Sequence, residues 1–121
     1  MKFYTTMPKG LSKYYQQELE NAKRYLLEKD FQTSWKYLER AHILGQPYPL
    51  PHTAVHWKMF LFGIKIKNTK EIIGQIPRLI FGGVKSFVGK IPIGNTGGAN
   101  VHPLAQMTIP NDLKIIIVQN K

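Results

Sequence analysis

The chain has 121 residues, 43% of them hydrophobic, and carries a net charge of +10 from 17 basic and 7 acidic residues. It contains no cysteine, which excludes disulfides, thiolate metal sites and thiol nucleophiles. Any metal must be held by histidine, carboxylate or amide groups.

The length predicts one domain over residues 1–121, with no internal repeat. Six Phe, six Tyr and two Trp supply the apolar bulk for a core. No apolar run follows Met1-Lys2-Phe3-Tyr4 as it would in a signal peptide. No stretch approaches the ~18 uninterrupted apolar residues of a membrane-spanning helix. The expected compartment is the cytoplasm. The positive balance favours phosphate or anionic partners. Yet the bases are scattered, no run of five occurs, and no groove-reading helix or aromatic platform is visible. Nucleic acid is therefore an unlikely partner, and most of this charge reads as solvated surface.

Residues 1–10 read as a loose leader ending in Pro8-Lys9-Gly10. Ser12 is placed to cap a first helix over 13–28, with Tyr15, Leu19, Ala22 and Leu26 on its apolar stripe. Lys29-Asp30 makes a tight turn, and Asp30 caps a second helix over 31–44. Its stripe is Phe31, Trp35, Leu38 and His42, and Gly45 is placed to end it. So short a turn makes the two helices antiparallel, much like one tetratricopeptide unit. Pro47, Pro49 and Pro51 predict an extended, non-helical connector. A third helix then starts at His52 or Thr53 and runs to Lys65; being apolar nearly all round, it is expected to be central and buried on most sides.

Asn68-Thr69-Lys70-Glu71 has the form of a capping box for a fourth helix. Pro77 predicts a kink or an early end, and Gly82-Gly83 a stop. The helical core is thus expected over 11–82, in two antiparallel hairpins. An irregular, Gly/Pro-rich segment, 83–121, is expected to wrap over it. Its last element, from Asp112 or Leu113 to Val118, reads equally as a strand, a short helix or a docked tail.

Three of the four histidines fall between Glu39 and Trp57. His52 and His56 are four apart on the third helix, so both imidazoles share one face. His42 lies at the end of the second helix, which the short connector brings close. Three imidazoles form a common set for zinc or another first-row transition metal. Glu39, three residues before His42, completes a single Glu-x-x-His and is a further candidate ligand; with no second copy, a di-iron site is not expected. The competing account is a hydrogen-bonded structural cluster, with His42 favoured as a cation in a last helical turn. His102 ranks below these three. Gln46, Gln75, Asn95 and Asn100 are candidates for locking side chains in place.

Gly94-Asn95-Thr96-Gly97-Gly98 matches neither phosphate-binding glycine pattern and reads as tight turns. Asp occurs only at Asp30 and Asp112, and no Ser-His-Asp set or carboxylate pair can be assembled. The sequence thus argues against an enzyme. The motifs Ala41-His42-Ile43-Leu44-Gly45-Gln46, His52-x-x-x-His56-Trp57, Gly74-Gln75-x-x-Arg78 and Pro92-x-Gly94-Asn95-Thr96-Gly97-Gly98-x-x-Val101 occur in this order. In these, the chain resembles the bacterial domain of unknown function numbered 3703, over roughly residues 11–113. The resemblance implies a small, cytoplasmic, single-domain protein, sometimes found in metal-resistance settings, without a family histidine at the position of His102.

The resulting expectation is a mainly α, non-catalytic protein of about four helices that binds a transition metal through His42, His52 and His56, with Glu39 as a possible addition. The alternatives are a protein-interaction module without metal, or weak nonspecific nucleic-acid binding through the net positive charge.

Overall fold

The computed structural model describes residues 6–88, 98–99 and 107–120. These form five helices and no strand: α1 (Lys9–Leu27), α2 (Phe31–Gly45), α3 (Pro49–Lys65), α4 (Thr69–Val88) and α5 (Asn111–Gln119). Residues 94–97 of the glycine loop, with Asn100 and His102, lie outside the described set, as do residues 1–5 of the expected leader. No described helix is long and apolar enough to cross a membrane.

α1 packs on α2 and α3 on α4, as two helical hairpins. α2 and α3 pack together and join the pairs, while α5 lies against α1 and α2. Among the described residues the core runs from Leu11 and Tyr15 on α1 through Leu38 and Leu44 on α2 to Val55 and Met59 on α3, with Leu113 of α5 fully buried.

Both hairpins turn by the same device. The N–H groups of Lys29 and Asp30 reach back to the carbonyls of Leu26 and Tyr25. Those of Lys67 and Asn68 reach back to Ile64 and Gly63. Each lysine is left-handed, with φ of 62° and 58°, and the next residue caps the following helix. Asp30 accepts from the Thr33 N–H at 3.3 Å, and Asn68 from the Glu71 N–H at 3.1 Å. This is the glycine-type C-cap, built twice with lysine.

Several boundaries differ from the expected ones. α1 starts at Lys9 rather than Lys13, and Ser12 is already inside it, its N–H bonded to the Pro8 carbonyl. At Gly10 a Cβ would meet the Asn120 side chain next to α5. Pro49 and Pro51 are helical rather than extended. The first N–H groups of a helix have no intrahelical partner, so two prolines in the first turn sacrifice nothing. The first helical bond is the His52 N–H to Tyr48, at 2.9 Å.

Gly45 is the last residue of α2 rather than a left-handed stop, and Gln46 after it remains right-handed. Space is what Gly45 supplies: a Cβ would lie 2.9 Å from the Tyr15 ring and 3.2 Å from Pro51. α4 continues through Pro77 and Gly82-Gly83 to Val88. Of the three readings open for the last element, strand, short helix or docked tail, the helix is the one found, as α5. α3 is not buried on most sides, because α2 and α4 cover one face only. Leu50, Trp57, Leu61 and Ile64 stay exposed opposite.

Candidate metal centre

His42 occupies the last turn of α2, and His52 and His56 stand one turn apart near the start of α3. The two helices are separated only by residues 46–48, and Pro49 at the first helical position sets the entry angle of α3. The Tyr15 hydroxyl donates to the Pro51 carbonyl at 2.7 Å and ties that first turn to α1. Burial holds the Tyr15 phenol well above its usual range, so it stays a donor. The α2–α3 corner is therefore fixed from three sides.

The corner brings all three imidazoles together. They are buried, at 2%, 6% and 2% exposure for His42, His52 and His56. Their Nε2 atoms form a nearly equilateral triangle: 3.0 Å from His42 to His56, 3.1 Å from His52 to His42, and 3.0 Å from His56 to His52. The rings meet edge-on or tilted rather than stacked.

Such a triangle cannot satisfy itself. Each neutral Nε2 carries either a hydrogen or a lone pair. With one hydrogen among three atoms, two lone pairs face each other; with two, two hydrogens do. At least one contact is always like against like, in a place that water barely reaches. The centre of such a triangle lies roughly 1.8 Å from each corner, so His42, His52 and His56 would be close enough together to hold one ion at the about 2.0–2.1 Å usual for zinc and imidazole. Among the described residues these three histidines are the group of metal-ligating side chains close enough to share one ion.

One ring is fixed from behind. The Nδ1 of His56 lies 2.6 Å from the Gln75 Oε1 on α4. The Gln75 amide donates through its nitrogen to Glu71, at 2.8 Å, and contacts the Met59 sulfur. That leaves the amide oxygen toward His56, so His56 carries its hydrogen on Nδ1 and turns a lone pair into the triangle. Glu71 is buried, and its second oxygen accepts from the Ala99 N–H at 2.7 Å. A Cβ on Gly74 would collide with Ala99, so the glycine admits this segment to α4. Arg78 feels the Glu71 charge and donates to the Gly74 carbonyl at 2.6 Å; burial lowers its pKa. A line of contacts thus runs from Ala99 through Glu71 and Gln75 to His56, the kind of outer support that orients metal-binding imidazoles.

The predicted histidines do converge. Glu39 is half-buried on α2, outside that close group. Gln75 has the locking role expected of it. Glu71 does something the capping-box reading missed: its backbone N–H is capped by Asn68, but its carboxylate points to Gln75 and Ala99 rather than back to the cap. The signal for it was the Glu71–Gln75 spacing of four, which puts both side chains on one helix face.

Residues 9–117 match the profile of a family described as a protein of unknown function, DUF3703. The chain belongs to the DUF3703 family. Neither the curated proteins nor the solved structures contain a match. The matched span of this DUF3703 chain includes the three histidines and their Gln75–Glu71 support.

Proposed function

We propose that this DUF3703 protein is a small, non-catalytic, cytoplasmic protein of one domain. In this reading His42, His52 and His56 bind one first-row transition ion, with zinc the first choice. The observation that carries it is the triangle of buried Nε2 atoms 3.0–3.1 Å apart, which no assignment of hydrogens can satisfy. A cation takes up all three lone pairs at once. Three neutral nitrogens and no thiolate suit zinc, nickel or copper rather than calcium or magnesium. Glu39 is the candidate for a further ligand, from its place one turn before His42.

Zinc, nickel or copper should raise the melting temperature of metal-stripped protein. The stabilisation expected at a hundredfold excess over the dissociation constant is about 2.7 kcal/mol. His56→Ala, His42→Ala and His52→Ala should each abolish the rise, while Glu39→Gln should only reduce it. Protons compete for the same nitrogens, so affinity should fall as pH drops through about 6.5, the ordinary imidazole value. No bound metal by elemental analysis, with melting unmoved by all three ions, would leave a structural histidine cluster instead.

A further inference from the structure

α1 and α3 both pack on α2 and touch each other where Tyr15 bonds Pro51. Between them, over α2, runs a cavity of about 350 Å³. Its floor is Leu38, Ser34 and Ala22, all buried, and its walls are Leu19 and Leu26 of α1 and Leu61 and Phe62 of α3. The Ser34 hydroxyl donates to the Ala22 carbonyl at 2.6 Å. The floor therefore makes no polar demand of its own on an occupant.

The rim is different. Lys58 and Lys65 stand on the α3 edge and Lys23 on the α1 edge, all exposed, with Glu20 the one acidic group among the lining residues. Lys58 and Lys65 are seven residues apart, two helical turns and about 10 Å along the axis. A single-headed amphiphile needs cations at one end of a groove. Lys58 and Lys65 repeat a cation at a seven-residue step along the α3 edge, while the α1 edge sets Lys23 beside Glu20; this suits an occupant that repeats its negative charges along its α3-facing side. The walls belong to two helices that flank α2, and a groove between helices is a usual seat for another helix. A second copy of this chain is a poor occupant, because each copy carries +10.

We infer that this groove docks an amphipathic helix of a partner protein, its apolar stripe edged by Asp or Glu along the side that faces Lys58 and Lys65. The surface is separate from the three histidines and does not depend on their binding a metal.

The test uses the full chain and a labelled peptide of roughly three heptads with Leu at the seam positions and Glu at the flanking ones. A peptide with Lys at the flanks is the control. Binding followed by fluorescence anisotropy should be saturable for the Glu-edged peptide, weaken with salt, and be absent for the control. The double variant Lys58→Glu, Lys65→Glu should lose at least about tenfold in affinity and begin to take the Lys-edged peptide. Both lysines are exposed, so the variant should melt as the parent does. Leu61→Ala, also at an exposed position, should weaken the Glu-edged peptide without this charge reversal. Equal binding of both peptides, or affinity unmoved by the double variant, overturns the inference. So does binding only to vesicles of mixed anionic and neutral lipid, which would make the face a lipid-contacting one.

Discussion

At the scale of single residues, Gln75 carries the sharpest expectation. It touches no ion, yet its oxygen sets the tautomer of His56 and its nitrogen is held by Glu71. Gln75→Leu keeps similar bulk and removes both contacts. The three histidines stay in place, but His56 is free to put its hydrogen on either nitrogen. Metal affinity, read by competition with a chelating dye, should drop about 10- to 100-fold, as outer-support losses usually do. If affinity holds while stability falls, Gln75 is a packing residue only. The histidines themselves were legible because helical spacing and a short connector are local properties. Glu71 was misread because a capping box and an i, i+4 side-chain contact look alike in sequence. Which of them forms depends on where Ala99 lies, and that is a tertiary fact.

At the scale of elements, the two hairpin turns invite the next test. A left-handed residue with a side chain costs about 1 kcal/mol relative to glycine, offset in part by glycine's larger unfolded-state entropy. Lys29→Gly and Lys67→Gly should each stabilise the protein by up to about 1 kcal/mol in urea unfolding. Destabilisation by either would mean that the lysine side chain makes a contact worth more than the strain. The Asp30 and Asn68 caps were legible in the sequence, but the left-handed lysines before them were not, because lysine is not a left-handed signal. The prolines misled for the opposite reason: they signal broken helices, but a helix start has no donors to lose. α5 is held by Arg40, which bonds both Glu18 on α1 and Asp112. The Arg40 guanidinium holds the Asp112 carboxyl below its usual range. A depressed carboxyl contributes stability above its unfolded pKa, about 3.9, and loses it as pH falls through the lower folded value. The urea midpoint should therefore fall more on acidification below that range in the parent than in Asp112→Asn. Equal falls would show that this ion pair, largely exposed on its Asp112 side, contributes nothing measurable.

At the scale of the whole molecule, the helical class and pairing follow from hydrophobic spacing and short turns, both plain in the sequence. The open face of α3 was not legible. An all-apolar helix looks buried until its neighbours are placed, and here they cover one side only. The three close-set histidines lie 4 to 14 residues apart in the chain. Closing a segment of about ten residues takes on the order of 10–100 ns. Gln75 and Glu71 come later in the chain, on α4, and synthesis delivers the N-terminal part first. The nitrogen triangle can therefore assemble from α2 and α3 alone as the chain emerges, before the residues that fix its tautomer exist. On the metal-binding reading proposed above, capture is then a local, early event, and locking a separate, later one.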